Sequence, residues 1–243
     1  MQPVRTHRNK QVVDAARLHR GRHRRERGLT LVEGPDLLRD VIAAGAEMVE
    51  LFAIEPWGDR GATLVDQRAL ARLAGTKRPR GPVAVVRIPS ERLDPNRNLL
   101  VSVGVSDPGN VGTMIRTAAS FGWGYAYTDG SADPWAPKTI RGGAGGQFQT
   151  PVSRLETLEE LTGWTVVATV ANKGEPPEAV TERPVALLMG EEAHGIPQSI
   201  VDAAPHRLTI PTTGATESLN VAVAAGIAVY ELSKPDGLGP GRV

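Results

Sequence analysis

The chain has 243 residues, 40% of them hydrophobic, which is enough to bury one large core or two small ones. It has no cysteine, which excludes disulfides, thiolate nucleophiles and cysteine–zinc sites, and no apolar run reaches the roughly 18 residues of a membrane-spanning helix. The formal net charge is +1, yet residues 1–28 hold nine Lys or Arg against two acidic residues, so the remainder is acidic. This basic arm, residues 1–28, favours a polyanionic partner such as nucleic acid, although a solvated helix face has the same composition.

The first 90 residues alternate between helix and strand patterns. Residues 9–27 fit one basic amphipathic helix that ends at Gly28. Strands are predicted at residues 29–33, 49–54 and 83–88, and helices at residues 36–44 and 66–74. We therefore predict a small α/β domain over residues 1–90, followed by a polar, proline-containing linker at residues 91–98.

Residues 99–243 have the element order of a mostly parallel sheet with helices on both faces. Strands are predicted at residues 99–105, 124–128, 165–170, 185–189 and 207–210, and helices at residues 111–121, from Gln198 onward, and at 221–232. The predicted fold class is therefore α/β. The basic N-terminus is not followed by an apolar core, unlike a secretory signal, so we expect a cytoplasmic protein.

Three loops follow predicted strands of this second domain. Residues 106–112 precede Arg116, residues 190–197 begin with Gly-Glu-Glu, and residues 210–220 run from Ile-Pro to Ser-Leu-Asn at the start of a helix. In parallel sheets, ligands bind beyond the carboxyl ends of the strands. Backbone groups and small polar side chains at a helix N-terminus are typical of a site for a polar cofactor.

The ordered patterns Asn-x-Gly-x-x-x-Arg, Gly-x-Glu-x-x-Gly and Ile-Pro with Ser-Leu-Asn resemble the three motifs of the SpoU/TrmH branch of the SPOUT RNA methyltransferases. The similarity covers residues 99–232, and LVEG at 31–34 with GPVAVVR at 81–87 more loosely resembles that family's small N-terminal RNA-binding domain. The resemblance implies a C-terminal deep trefoil knot, a homodimer, and S-adenosyl-L-methionine-dependent methylation of a ribose 2′-hydroxyl in structured RNA, ribosomal RNA being favoured.

The resemblance also implies which residues act. The cofactor-binding positions are Leu188, Gly190, Ile210, Ser218 and Leu219. The catalytic positions are Arg116, Asn110, Glu192, Asn220 and Ser218, although Ser218 is equally explained as the cap of the last helix. Because a guanidinium stays protonated, we expect Arg116 to orient an RNA phosphate and stabilise an alkoxide rather than act as the base.

RNA binding is predicted for two basic clusters. They comprise Arg17, Arg20, Arg22, Arg24 and Arg25 in the basic arm, and Lys138 and Arg141 beside a glycine-rich stretch. No metal site is apparent, because the histidines are scattered and no acidic triad has ligand spacing.

The chain departs from the family pattern at three positions. Gly143 stands where a serine is usual, and Glu191 and Ala193 stand where a small polar residue and a glycine are common. Three other functions stay open: a tRNA 2′-O-methyltransferase, a non-catalytic RNA-binding protein that kept the fold, and a nucleotide-dependent dehydrogenase. The last would need Gly-x-Gly-x-x-Gly after an early strand, but the glycines at 142–146 follow no convincing strand.

Overall fold

The structure, a computed structural model, describes residues 5–58, 61–76, 78–79, 81–90, 93–191, 194–213 and 218–234. Its helices are α1 (Lys10–Ala16), α2 (Gly21–Arg27), α3 (Pro35–Ala43), α4 (Gln67–Ala74), α5 (Pro108–Ser120), α6 (Pro137–Gly142), α7 (Gln198–Ala203) and α8 (Val221–Ser233). Its strands are β1 (Leu29–Glu33), β2 (Met48–Ala53), β3 (Thr63–Leu64), β4 (Val83–Arg87), β5 (Leu99–Val103), β6 (Gly124–Tyr127), β7 (Val152–Arg154), β8 (Thr165–Thr169), β9 (Val185–Gly190) and β10 (His206–Leu208).

The chain forms two compact units. The first consists of Met1–Ser90 with Asp133–Gln149, and the second of Glu91–Ala132 with Thr150–Val243. Residues 133–149 are predicted from the sequence to belong to the second domain, but their contacts are made within the first unit. Residues 93–98 of the predicted linker pack in the second unit, where Leu93 touches the core and the Asn98 side chain accepts a hydrogen bond from the Val185 amide.

The first unit is built on a four-stranded sheet of order β1-β4-β2-β3. β4 runs antiparallel to both β1 and β2, and β3 is parallel to β2. Apolar side chains from α1, α4 and the sheet form its core. The predicted strand at 29–33 is confirmed to the residue, and the other elements predicted between residues 34 and 90 agree within one residue at each end.

The basic arm is not the single helix that its sequence predicts. α1 ends at Ala16, a 3-10 turn covers Arg17–His19, and Arg20 is extended before α2 begins. Gly28 ends α2 in the left-handed conformation, with φ of 61°, as its position predicted. The break at Arg20 lets α2 present Arg24 to the interior of the unit.

Buried polar contacts fix residues 133–149 within the first unit. The Arg24 guanidinium donates to the Leu18 carbonyl at 2.6 Å and to the Asp133 carboxylate at 2.5 Å. The Thr30 hydroxyl of β1 donates to the Trp135 carbonyl at 2.6 Å. Each of these polar groups has a hydrogen-bond partner, and these bonds offset the free energy that the groups lose when they leave water.

The second unit contains the predicted parallel sheet. Its six strands have the order β10-β8-β9-β5-β6-β7, and every neighbouring pair is parallel. α5 begins at Pro108, three residues earlier than predicted, because the Asp107 side chain caps it by accepting from the amides of Gly109 and Asn110. Asn110, which is an equally suitable residue type for a cap, instead lies inside the helix.

No helix among the described residues combines the length and the hydrophobicity needed to span a bilayer. Within the same residues, His, Asp and Glu side chains form no group of three or more that could hold a metal ion.

Candidate functional site

A cavity opens at the carboxyl-terminal edge of the second unit's sheet, and we call it the edge cavity. β10, β8 and β9 are neighbours and parallel, so the segments that leave them meet at one edge. The lining includes residues 169–171 at the end of β8 and just beyond it, and residues 189–191 and 195–196 around the end of β9. It also includes residue 208, which ends β10, and residues 210 and 212 beyond it. Ser218, Leu219 and the first turn of α8 complete it.

Four of the five predicted cofactor-binding residues line the edge cavity: Gly190, Ile210, Ser218 and Leu219. Leu188 does not, because it lies fully buried in β9 and its carbonyl accepts a hydrogen bond from the Thr169 hydroxyl at 2.8 Å. The segment at the end of β8, residues 169–171, is not among the predicted site residues. The same rule about strand ends would have found it, since β8 is a predicted parallel strand.

Position 190 requires a glycine because the backbone of Gly195 and Ile196 passes very close to it. A Cβ atom at this position would lie 2.3 Å from the Gly195 carbonyl carbon and 2.4 Å from the Ile196 nitrogen. The Gly195 amide donates to the Glu191 carbonyl at 2.7 Å, which closes the turn. The loop after β9 is therefore folded tightly on itself at the wall of the edge cavity.

Glu191 links this loop to the loop after β5. Its carboxylate accepts from the Ser106 hydroxyl at 2.8 Å and pairs with His194 Nδ1 at 3.2 Å. The hydrogen bonds from Ser106 and His194 hold the pKa of the Glu191 carboxyl below its usual value. The carboxylate is therefore ionised at neutral pH.

The predicted catalytic asparagines lie together. Asn220 Nδ2 donates to Asn110 Oδ1 at 2.9 Å, which joins the first turns of α8 and α5. Asn220 Oδ1 also accepts from the amides of Ala222 and Val223, so Asn220 is the cap of α8. The alternative interpretation of Ser218 as this cap was wrong; Ser218 instead lines the edge cavity.

Arg116 lies on α5, and its side chain is exposed. It is not among the residues that line the edge cavity. Among the described residues, none forms a hydrogen bond or ion pair with its guanidinium. Glu192, the remaining catalytic candidate, lies outside the described residues.

The predicted RNA-binding residues all belong to the first unit. Arg17, Arg20, Arg22 and Arg25 of the basic arm are exposed, as are Lys138 and Arg141. Arg141 forms an ion pair of 3.3 Å with Glu33. Arg24 has to be removed from the predicted set, because it is 4% exposed and occupied by Asp133 and Leu18.

An apolar surface lies on α8 of the second unit. Val223, Ile227 and Tyr230 are exposed, and their spacing places them along one side of the helix. Phe121, also exposed, meets the Tyr230 ring edge-on at 6.3 Å between centroids. We call these four residues the α8 apolar face.

Comparison with known proteins identifies the family. The SpoU rRNA Methylase family matches residues 97–230. RlmP of Bacillus subtilis, a 23S rRNA (guanosine(2553)-2′-O)-methyltransferase, is 31% identical over 246 residues, 96% of this chain and 99% of RlmP. RlmB of Nitrosomonas europaea, a 23S rRNA (guanosine-2′-O-)-methyltransferase, is 33% identical over 185 residues, 69% of this chain and 71% of RlmB.

A solved structure is also similar. The AdoMet-bound rRNA methyltransferase from Sinorhizobium meliloti superposes with a TM-score of 0.79 at 27% identity, covering 92% of this chain and 94% of that one. The resemblance carried by the three loops is thus confirmed, and the chain belongs to the SpoU rRNA Methylase family.

Proposed function

We propose that this protein transfers a methyl group from S-adenosyl-L-methionine to a ribose 2′-hydroxyl of RNA, with ribosomal RNA as the substrate. The observation that carries the proposal is the edge cavity, which brings the second and third motif loops together in a chain of this family. A ribosomal RNA substrate implies that the protein acts in the cytoplasm.

The residues of the edge cavity fit this cofactor chemically. Val170, Leu208 and Leu219 supply apolar surface for the faces of an adenine ring. Hydroxyl side chains and the backbone of two glycines can meet the polar edges, and Glu191 supplies a negative charge for a cationic ligand. When bound, S-adenosyl-L-methionine provides a methyl group on a positively charged sulfur.

Arg116 is the proposed catalytic residue. It follows Asn110 by six residues, about 9 Å along the helix axis, so a long side chain can reach back toward the loop after β5. Its guanidinium remains protonated, so it binds an RNA phosphate and stabilises negative charge on the ribose oxygen. The hydroxyl proton leaves to phosphate or water. Asn110 and Asn220 are positioning residues, because the hydrogen bond between them holds the first turns of α5 and α8 together.

We propose a homodimer formed through the α8 apolar face. Monomeric proteins seldom expose contiguous apolar side chains, and Val223 and Tyr230 are 53% and 52% exposed. Phe121 ends α5, the helix that carries Arg116, so this interface would lie beside the catalytic residue. We also propose that the C-terminal part of the second unit forms the family's deep trefoil knot.

RNA recognition is assigned to the first unit. Its exposed arginines and lysine supply phosphate contacts, which fix the position of an RNA without reading its sequence. Removing residues 1–28 is expected to weaken RNA binding and to reduce its dependence on salt concentration.

Methyl transfer to ribosomal RNA by the purified protein tests the proposed function. Arg116→Ala should lower turnover by about 100-fold or more, the usual cost of removing one oxyanion-stabilising group. Arg116→Lys should be impaired as well, because an ammonium lacks the planar fork. Both variants should bind S-adenosyl-L-methionine as the wild type does. Normal turnover by Arg116→Ala would show that this residue takes no part in the reaction. If the protein methylated tRNA but not ribosomal RNA, the proposed substrate would be wrong.

Ile227→Asp tests the dimer. A charge at the centre of the α8 apolar face should convert the dimer to monomer in light scattering after gel filtration, because a buried unpaired carboxylate is costly. Asp202→Ala, on α7 and exposed, serves as the control. A wild-type monomer, or an Ile227→Asp dimer, would contradict the proposed interface.

A further inference from the structure

Glu191 is the one ionised side chain among the described residues that line the edge cavity. The other lining residues are apolar, hydroxyl-bearing or glycine. Glu191 also occupies a position where the family pattern has a small polar residue.

The carboxylate is held in a defined position at the cavity wall. Ser106 fixes one oxygen and His194 faces the other, while the turn closed by the Gly195 amide fixes the backbone of Glu191. His194 is largely in water, with 84% of its side chain exposed. A charge fixed in this way acts on any ligand in the cavity through its field.

The proposed cofactor and its product differ by one charge. S-adenosyl-L-methionine carries a sulfonium, an ammonium and a carboxylate, with a net charge of +1. In the transfer, the methyl–sulfur bond breaks and leaves its electron pair on sulfur, while the ribose oxygen forms a bond to the methyl carbon and loses its proton. The product, S-adenosyl-L-homocysteine, is a thioether with no net charge. The negative charge of Glu191 in the cavity wall therefore attracts S-adenosyl-L-methionine more strongly than its product.

We propose that Glu191 is a specificity-determining residue that makes the edge cavity prefer the cationic methyl donor over its neutral product. The inference rests on the proposed cofactor. Its consequence is weak product inhibition, since the spent cofactor loses an attractive interaction at the moment the methyl group leaves.

Calorimetric titration of the full-length protein and its variants with each ligand measures how much the charge of Glu191 contributes to binding, apart from the shape of its side chain. Glu191→Gln keeps the size of the side chain and an oxygen that accepts from Ser106, and removes only the charge. Since the Glu191 side chain is 33% exposed and water screens it, the Kd for S-adenosyl-L-methionine should rise about three- to tenfold. The Kd for S-adenosyl-L-homocysteine should change by less than about twofold.

Ser106→Ala is the matched control, because it removes the hydrogen bond and leaves the carboxylate. Ser106→Ala should weaken the binding of both ligands by the same factor and leave the ratio of their Kd values unchanged. In wild-type protein, added salt should weaken binding of S-adenosyl-L-methionine more than binding of the product. Equal losses for both ligands in Glu191→Gln, or identical salt dependences, would overturn the proposal. Wild-type protein that binds neither ligand would instead contradict the proposed function.

Discussion

The capping role of Asn220 allows a stability prediction that separates it from its neighbour Ser218. Asn220 accepts from two amides at 3.0 and 3.2 Å and donates to Asn110 at 2.9 Å. Loss of a side-chain cap costs about 1 kcal/mol, and an exposed side-chain hydrogen bond adds about 0.5 to 1 kcal/mol. Asn220→Ala should therefore lower the free energy of unfolding by about 1.5 to 2 kcal/mol.

Urea unfolding followed by circular dichroism measures this change, with a thermal scan expected to show a Tm lower by about 4 °C or more. Asn220→Asp keeps the capping acceptor but cannot donate to Asn110. It should therefore lose about 0.5 to 1 kcal/mol, partly offset by a negative charge at the positive end of the helix, and stay more stable than Asn220→Ala. Ser218→Ala should also be neutral, because this side chain caps nothing. A loss in Ser218→Ala equal to that in Asn220→Ala would refute the assignment of the cap.

Two further substitutions test the packing that the site depends on. Gly190→Ala should destabilise the protein by about 1 to 3 kcal/mol and weaken cofactor binding, because the new Cβ would collide with the backbone at Gly195. Gly61→Ala is the control in the same calorimetric and urea experiments, because a Cβ at Gly61 would have no atom within 4 Å. Arg24→Ala should cost about 3 kcal/mol or more, since it leaves the Asp133 carboxylate without its buried partner. By contrast, Arg22→Ala should change stability by less than about 0.5 kcal/mol, because its side chain is 81% exposed, and should instead weaken RNA binding in a filter assay. Equal stability losses at Arg22 and Arg24 would contradict the distinction.

Local patterns in the sequence predicted most of the second unit. Short apolar runs such as 99–105 and 185–189 are typical of central strands in a covered sheet, and both contain adjacent parallel strands of the structure. The rule that ligands meet the carboxyl ends of such strands then brought three separate loops to one edge. Four predicted cofactor residues line the cavity there.

Several of the corrections involve choices among similar side chains or contacts distant in sequence. Asp107 and Asn110 are equally good cap residues, and only the backbone geometry decides that Asp107 begins α5. Counting arginines shows that the arm is basic, but not that one of them, Arg24, turns inward to Asp133, more than one hundred residues away. For the same reason, nothing in residues 133–149 indicated that they pack in the first unit.

The most direct test is to identify the atom that receives the methyl group. Ribosomal RNA is incubated with the protein and S-adenosyl-L-methionine labelled in its methyl group, then hydrolysed in alkali, which needs a free 2′-hydroxyl beside each phosphate. Methylation of a ribose 2′-oxygen should leave the label in alkali-resistant dinucleotides. Label in mononucleotides, or RNA that takes up none, would contradict the account.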